Sequence, residues 1–64
     1  MSYNYKHILR GYKARLKWEW EHMKDYYTLD EYAKDSAKWI NEILAERYIF
    51  DYRIMPEEIK GWLS

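Results

Sequence analysis

YTLDEY (residues 27–32) breaks an otherwise continuous helical pattern, and its reading decides the fold. Thr28 and Glu31 stand in the S/T-x-x-E order of a capping box. There the threonine side chain accepts from the amide three residues on, and the glutamate reaches back. Tyr27 and Tyr32 occupy the two positions of a hydrophobic staple around that cap. A helix therefore begins at Leu29, and any helix before it has to stop by about residue 26. Two helices joined so tightly fold back on each other as an antiparallel hairpin.

Upstream of the break, apolar residues recur at spacings of three and four. Tyr5, Ile8, Leu9, Tyr12, Leu16, Trp20, Met23 and Tyr27 fall in one stripe of a helix spanning about 3–26, with Ser2 or Asn4 as its cap. Lys6, Arg10, Lys13, Lys17 and Lys24 form a second stripe beside it. The opposite side carries His7, Gly11, Ala14, Trp18, His22 and Asp25. KWEWEH (17–22) thus separates its tryptophans: successive helix residues turn by about 100°, so Trp20 belongs to the core stripe and Trp18 points away from it.

Downstream, a second helix spans about 29–49. Its buried face is Leu29, Ala33, Ser36, Ala37, Ile40, Ile43 and Leu44, flanked by Tyr32, Trp39 and Phe50. Ala33, Ser36 and Ala37 are small, which predicts close approach of the first helix there. YIFDYRIM (48–55) is rich in β-branched and aromatic residues and reads as the end of the second helix followed by an extended segment across the hairpin, since a lone strand has no partner within the chain unless the chain dimerises. Pro56 suits a first helical position, with Glu57 and Glu58 favourable in the first turn, so a short third helix occupies about 56–63. Ile59, Trp62 and Leu63 are its apolar side. The expectation is an all-α protein, residues 1–64 forming a single small helical domain.

Sixty-four residues make a thin core, because a chain of this size buries only about 60% of the surface its unfolded form exposes. No cysteine is present, which excludes disulfides and thiolate metal sites. Thirteen aromatic residues supply the area that length does not, with a surplus that suggests a partner-binding surface. Two hairpins could also bury each other's faces, so homo-oligomerisation is expected as well. The net charge is zero, but residues 1–17 carry five basic side chains and no acid, leaving the remainder at −5. That asymmetry has two readings: neutralisation within the fold, or an acidic partner outside it. No run reaches the ~18 apolar residues of a membrane span and no signal peptide is evident, so the chain reads as a complete, cytoplasmic protein with no membrane role.

Catalytic chemistry finds little support. Only Ser2, Ser36, Ser64 and Thr28 offer hydroxyls, and two isolated glycines cannot build a phosphate-cradling loop. Neither an enzymatic activity nor a cofactor is expected. His22 and Asp25 stand one turn apart, but His7 lies about 22 Å from His22 along the helix, so no metal site is expected either.

Nucleic-acid binding is the second functional reading. Lys6, Arg10, Lys13 and Lys17, interleaved with Tyr3, Tyr12 and Trp18, could track phosphates while rings stack on bases. The same stripe could instead pair with Glu42, Glu46 and Asp51. YTLDEYAK (27–34) resembles the opening of excisionase-type winged helix-turn-helix domains, and YRIMPEEIKGWL (52–63) is similar to their closing segment. Between them, DSAKWINEILAERYIFD has no clear turn between helices and no glycine for the family's hairpin wing.

The first reading is a non-enzymatic protein that binds a macromolecule, a protein above all, in stoichiometric fashion. Small proteins of this kind serve phages and mobile elements as inhibitors or accessory factors. Trp18, His22, Tyr12, Trp39 and Trp62 are the expected contact residues, because aromatic side chains dominate interface energetics. The alternatives for Trp18 are packing beneath the C-terminal segment, or meeting a second copy.

Overall fold

A computed structural model describes residues 5–64 of the chain. Among these there are three helices and no strand: α1 (Tyr5–Met23), α2 (Leu29–Glu46) and α3 (Pro56–Leu63). The expected cap at Ser2 or Asn4 and the expected helical residue Tyr3 lie outside the described residues. The all-α hairpin with an extended segment and a short third helix is the architecture observed.

Thr28 begins α2 as its sequence demands. Its backbone is extended (φ −78°, ψ 157°), and its Oγ1 accepts from the Glu31 amide at 3.2 Å. Glu31 answers differently from the expected box: its Oε1 accepts the Thr28 hydroxyl at 3.0 Å. The staple is also altered. Tyr27 remains exposed, while the Tyr32 ring meets Trp20 at 5.1 Å.

Both long helices end three residues earlier than the apolar pattern predicts. The Tyr26 and Tyr27 amides turn back onto the Met23 carbonyl and close α1. At the end of α2, Ile49 adopts φ 55°, in the left-handed region, and the following Phe50 amide donates to Leu44 O at 2.9 Å. Tyr48 and Phe50 continue the apolar pattern without continuing the helix.

The third helix fixes the architecture. Asn41 on α2 clips the extended segment, its Nδ2 donating to Ile54 O at 3.0 Å and its Oδ1 accepting from Ile54 N at 2.8 Å. A single side-chain amide thereby supplies the pairing that a neighbouring strand would give. Farther along, Lys60 pairs with Asp30 at the start of α2, so α3 runs back antiparallel to α2. Ala33, Ser36 and Ala37 lie between these two anchors and are buried. The backbone that comes close to α2 is that of α3, not that of α1 as the small residues had suggested. Rings hold α1 and α2 apart: Tyr12 meets Trp39 edge-on at 5.4 Å, and Trp20 meets Tyr32.

The buried cluster is aliphatic: Leu9, Leu16, Ala33, Ala37, Ile40, Leu44, Ile54 and Ile59. Aromatic residues pack around it rather than within it. Trp20, expected in the core, is half-buried on Tyr32 outside that cluster, and Met23 and Tyr27 are exposed. The reason is geometric: α1 reaches α3 and the aliphatic centre of α2 through Leu9 and Leu16, whereas Trp20 and Met23 lie toward the turn. No buried side-chain nitrogen or oxygen lacks a hydrogen-bond partner among the described residues.

Candidate functional site

Trp18 projects from α1 on the side opposite Leu9 and Leu16 and is 68% exposed. It does not pack beneath the C-terminal segment, which lies across another face of the hairpin. His22, one turn on, sets its imidazole edge-on to the indole with centroids 4.5 Å apart. Glu19 and Met23 complete a cleft of about 400 Å³. Met23 was expected in the core. Its place in the last turn before the break was the signal that it could face solvent instead.

The wall of this cleft is fixed from behind. Glu19 Oε1 accepts from Arg15 Nε at 2.9 Å, and Glu19 Oε2 accepts from the Tyr32 hydroxyl at 3.3 Å. Arg15 in turn lies over the Trp39 ring, 5.8 Å from its centroid. Burial, and then the Glu19 carboxylate, push the Tyr32 phenol up to about 12. The hydrogen bond that Arg15 donates to Glu19, and then that carboxylate's charge, raise the guanidinium above its ordinary value. Glu19 thus ties the Trp18 side of α1 to α2 instead of standing free in the cleft.

The five expected contact residues do not form one surface. Trp18 and His22 come together. Tyr12 and Trp39 pack on each other between α1 and α2, half-buried against the core. Trp62 lies on α3, half-buried against the core and away from the other four. It walls a furrow between α1 and α3 that also exposes Lys6, Arg10 and Lys13. A second hollow, shared by Lys17 and Trp62, continues along the same side.

The aromatic partners of the basic stripe therefore differ from those expected. Tyr12 turns toward Trp39 and Trp18 toward His22, while Tyr3 lies outside the described residues. The rings beside the stripe are Tyr5, Tyr52 and Trp62. Tyr5 and Tyr52 stack with centroids 4.3 Å apart, and the Tyr52 hydroxyl donates to Glu58 at 2.7 Å. That hydrogen bond, followed by burial, pushes the Tyr52 phenol up to about 12. Sequence periodicity could not place Tyr52 here, because it lies in the irregular segment.

Among the described residues Arg10, Lys13 and Lys17 form no ion pair with Glu42, Glu46 or Asp51. Nor do three or more His, Asp or Glu side chains stand together among those residues as metal ligands would. No described helix is long and apolar enough to cross a membrane. No family model, curated protein or solved structure matches the chain.

Proposed function

We propose that this protein is a non-enzymatic binding protein that engages a protein partner through the Trp18 face of α1, as a stoichiometric inhibitor or accessory factor. The exposure of Trp18 is the observation that carries this reading. An indole buries on the order of 150–250 Å² when covered, so leaving two-thirds of it in water forgoes roughly 3 kcal/mol that a partner could recover. His22 holds the ring against one wall, and the Arg15–Glu19–Tyr32 connections hold the helix itself, so little ordering is required on association.

The test compares partners captured from nuclease-treated lysate by the wild type and by Trp18→Ala. A specific interface predicts a protein retained by the wild type and lost from the variant, with the purified pair weakened about thirtyfold, the scale of a hot spot. Circular dichroism should give the same helix content for both. Identical capture by the two proteins would overturn the reading. A second copy is the alternative occupant, and sedimentation of the wild type at tens of micromolar distinguishes it by showing more than the 8.1 kDa species.

A further inference from the structure

We propose that the furrow between α1 and α3 is a binding site for single-stranded nucleic acid, separate from the Trp18 face. Its two edges differ in kind. The α1 edge presents Arg10, Lys13 and Lys17, three and four residues apart, hence about 10 Å from first to last along the axis. None of the three forms an ion pair among the described residues. The α3 edge presents Trp62, which lines both the hollow beside Arg10 and Lys13 and the one beside Lys17.

An extended single strand has the matching asymmetry, with phosphates along one side and flat bases along the other. A duplex hides its base faces and would leave Trp62 unused. An acidic peptide satisfies the cations but offers no succession of rings to the indole. The nearby acids pair with none of these three cations. Glu58 lines one end of the furrow and keeps its charge while accepting the Tyr52 hydroxyl, and Glu21 pairs with Lys24 at 3.1 Å beyond the other end. Phosphates are therefore directed to the stretch from Arg10 to Lys17.

Fluorescence anisotropy with a labelled oligothymidylate tests the site. Three phosphate contacts predict a log K against log salt slope of about −2, since each contributes about −0.7 for a single strand. Arg10→Ala/Lys13→Ala should flatten that slope to about −0.7 and weaken binding tenfold or more at low salt. Trp62→Leu should weaken it about tenfold with the slope unchanged, and Trp62→Tyr, which retains a stacking face, should recover most of the loss. Trp18→Ala should bind as the wild type does, which keeps this test independent of the protein interface. Helix content is checked for every variant. Absence of oligothymidylate binding at low salt would overturn the proposal. So would equal binding of a duplex or an oligoglutamate of the same charge, or full affinity in the double variant.

Discussion

Ile49 combines two unfavourable choices at one position. A β-branched residue at φ 55° crowds its own Cβ against the backbone, at a cost of about 1–2 kcal/mol, and its side chain is 83% exposed, so little burial offsets that cost. Ile49→Gly should accordingly raise stability by about 0.5–1 kcal/mol, after the greater freedom of glycine in the unfolded chain is subtracted. A denaturant midpoint that falls instead would mean that Ile49 makes a contribution the contacts do not reveal. Gly11 is the converse case, a glycine inside α1 whose added Cβ would meet nothing within 4 Å. Gly11→Ala should stabilise by about 1 kcal/mol, read from the same midpoint. Two residues of the core stripe also differ in burial. Leu16 is fully buried and Trp20 only half so; Leu16→Ala should cost about 3 kcal/mol and Trp20→Ala about 2, despite the larger side chain. Periodicity placed both residues on one stripe correctly. It carries no information about how far along the stripe the neighbouring helices reach.

Among the elements, the start of α2 was the most legible, because a cap is a local arrangement of named side chains. Thr28→Ala removes the acceptor for the Glu31 amide and should cost about 1 kcal/mol in thermal or denaturant unfolding. An unchanged transition would show that water satisfies that amide equally well. The start of α3 was legible for a similar reason: Pro56 opens it, with Glu57 and Glu58 in the first turn. The end of α2 was not. Its terminating residue is an isoleucine where glycine or asparagine is usual, and Tyr48 and Phe50 keep the apolar spacing alive beyond the last helical turn. The reading of 48–55 as leaving the helix was sound, but it missed the left-handed turn at Ile49 and the partner of the segment. Nothing in YIFDYRIM points to Asn41, which is polar on a helix flank and becomes a clip only when α3 has docked. The candidate site divides in the same way: Trp18 and the basic stripe follow from spacing on one helix, whereas Tyr52 and Trp62 reach that stripe through tertiary packing.

For the molecule as a whole, the two hydrogen-bonded phenols set a response to alkali. Tyr32 and Tyr52 hold their protons to about 12 in the fold, against an ordinary value near 10. Below pH 10 both folded and unfolded chains are protonated there, and the full contribution is present. Above it the unfolded chain ionises first, so stability should decline between about pH 10 and 12. Denaturant midpoints across that range should fall for the wild type and fall less for Tyr32→Phe/Tyr52→Phe; parallel curves would exclude these phenols as the cause. The Lys60–Asp30 pair acts at the other extreme. Lys60 holds the Asp30 carboxyl below its usual range, so this small, exposed contribution is present above about pH 3.8 and lost as acid protonates the carboxylate. The Asn41 clip also has a kinetic consequence. The Ile54 amide hydrogen belongs to a stretch without regular structure, where exchange with deuterated solvent would ordinarily be rapid. Held by a side chain on α2, it can exchange only when residue 54 lifts away from that helix. Its protection factor should therefore follow the undocking of α3 rather than local fraying, and in Asn41→Ala it should collapse to that of a free coil.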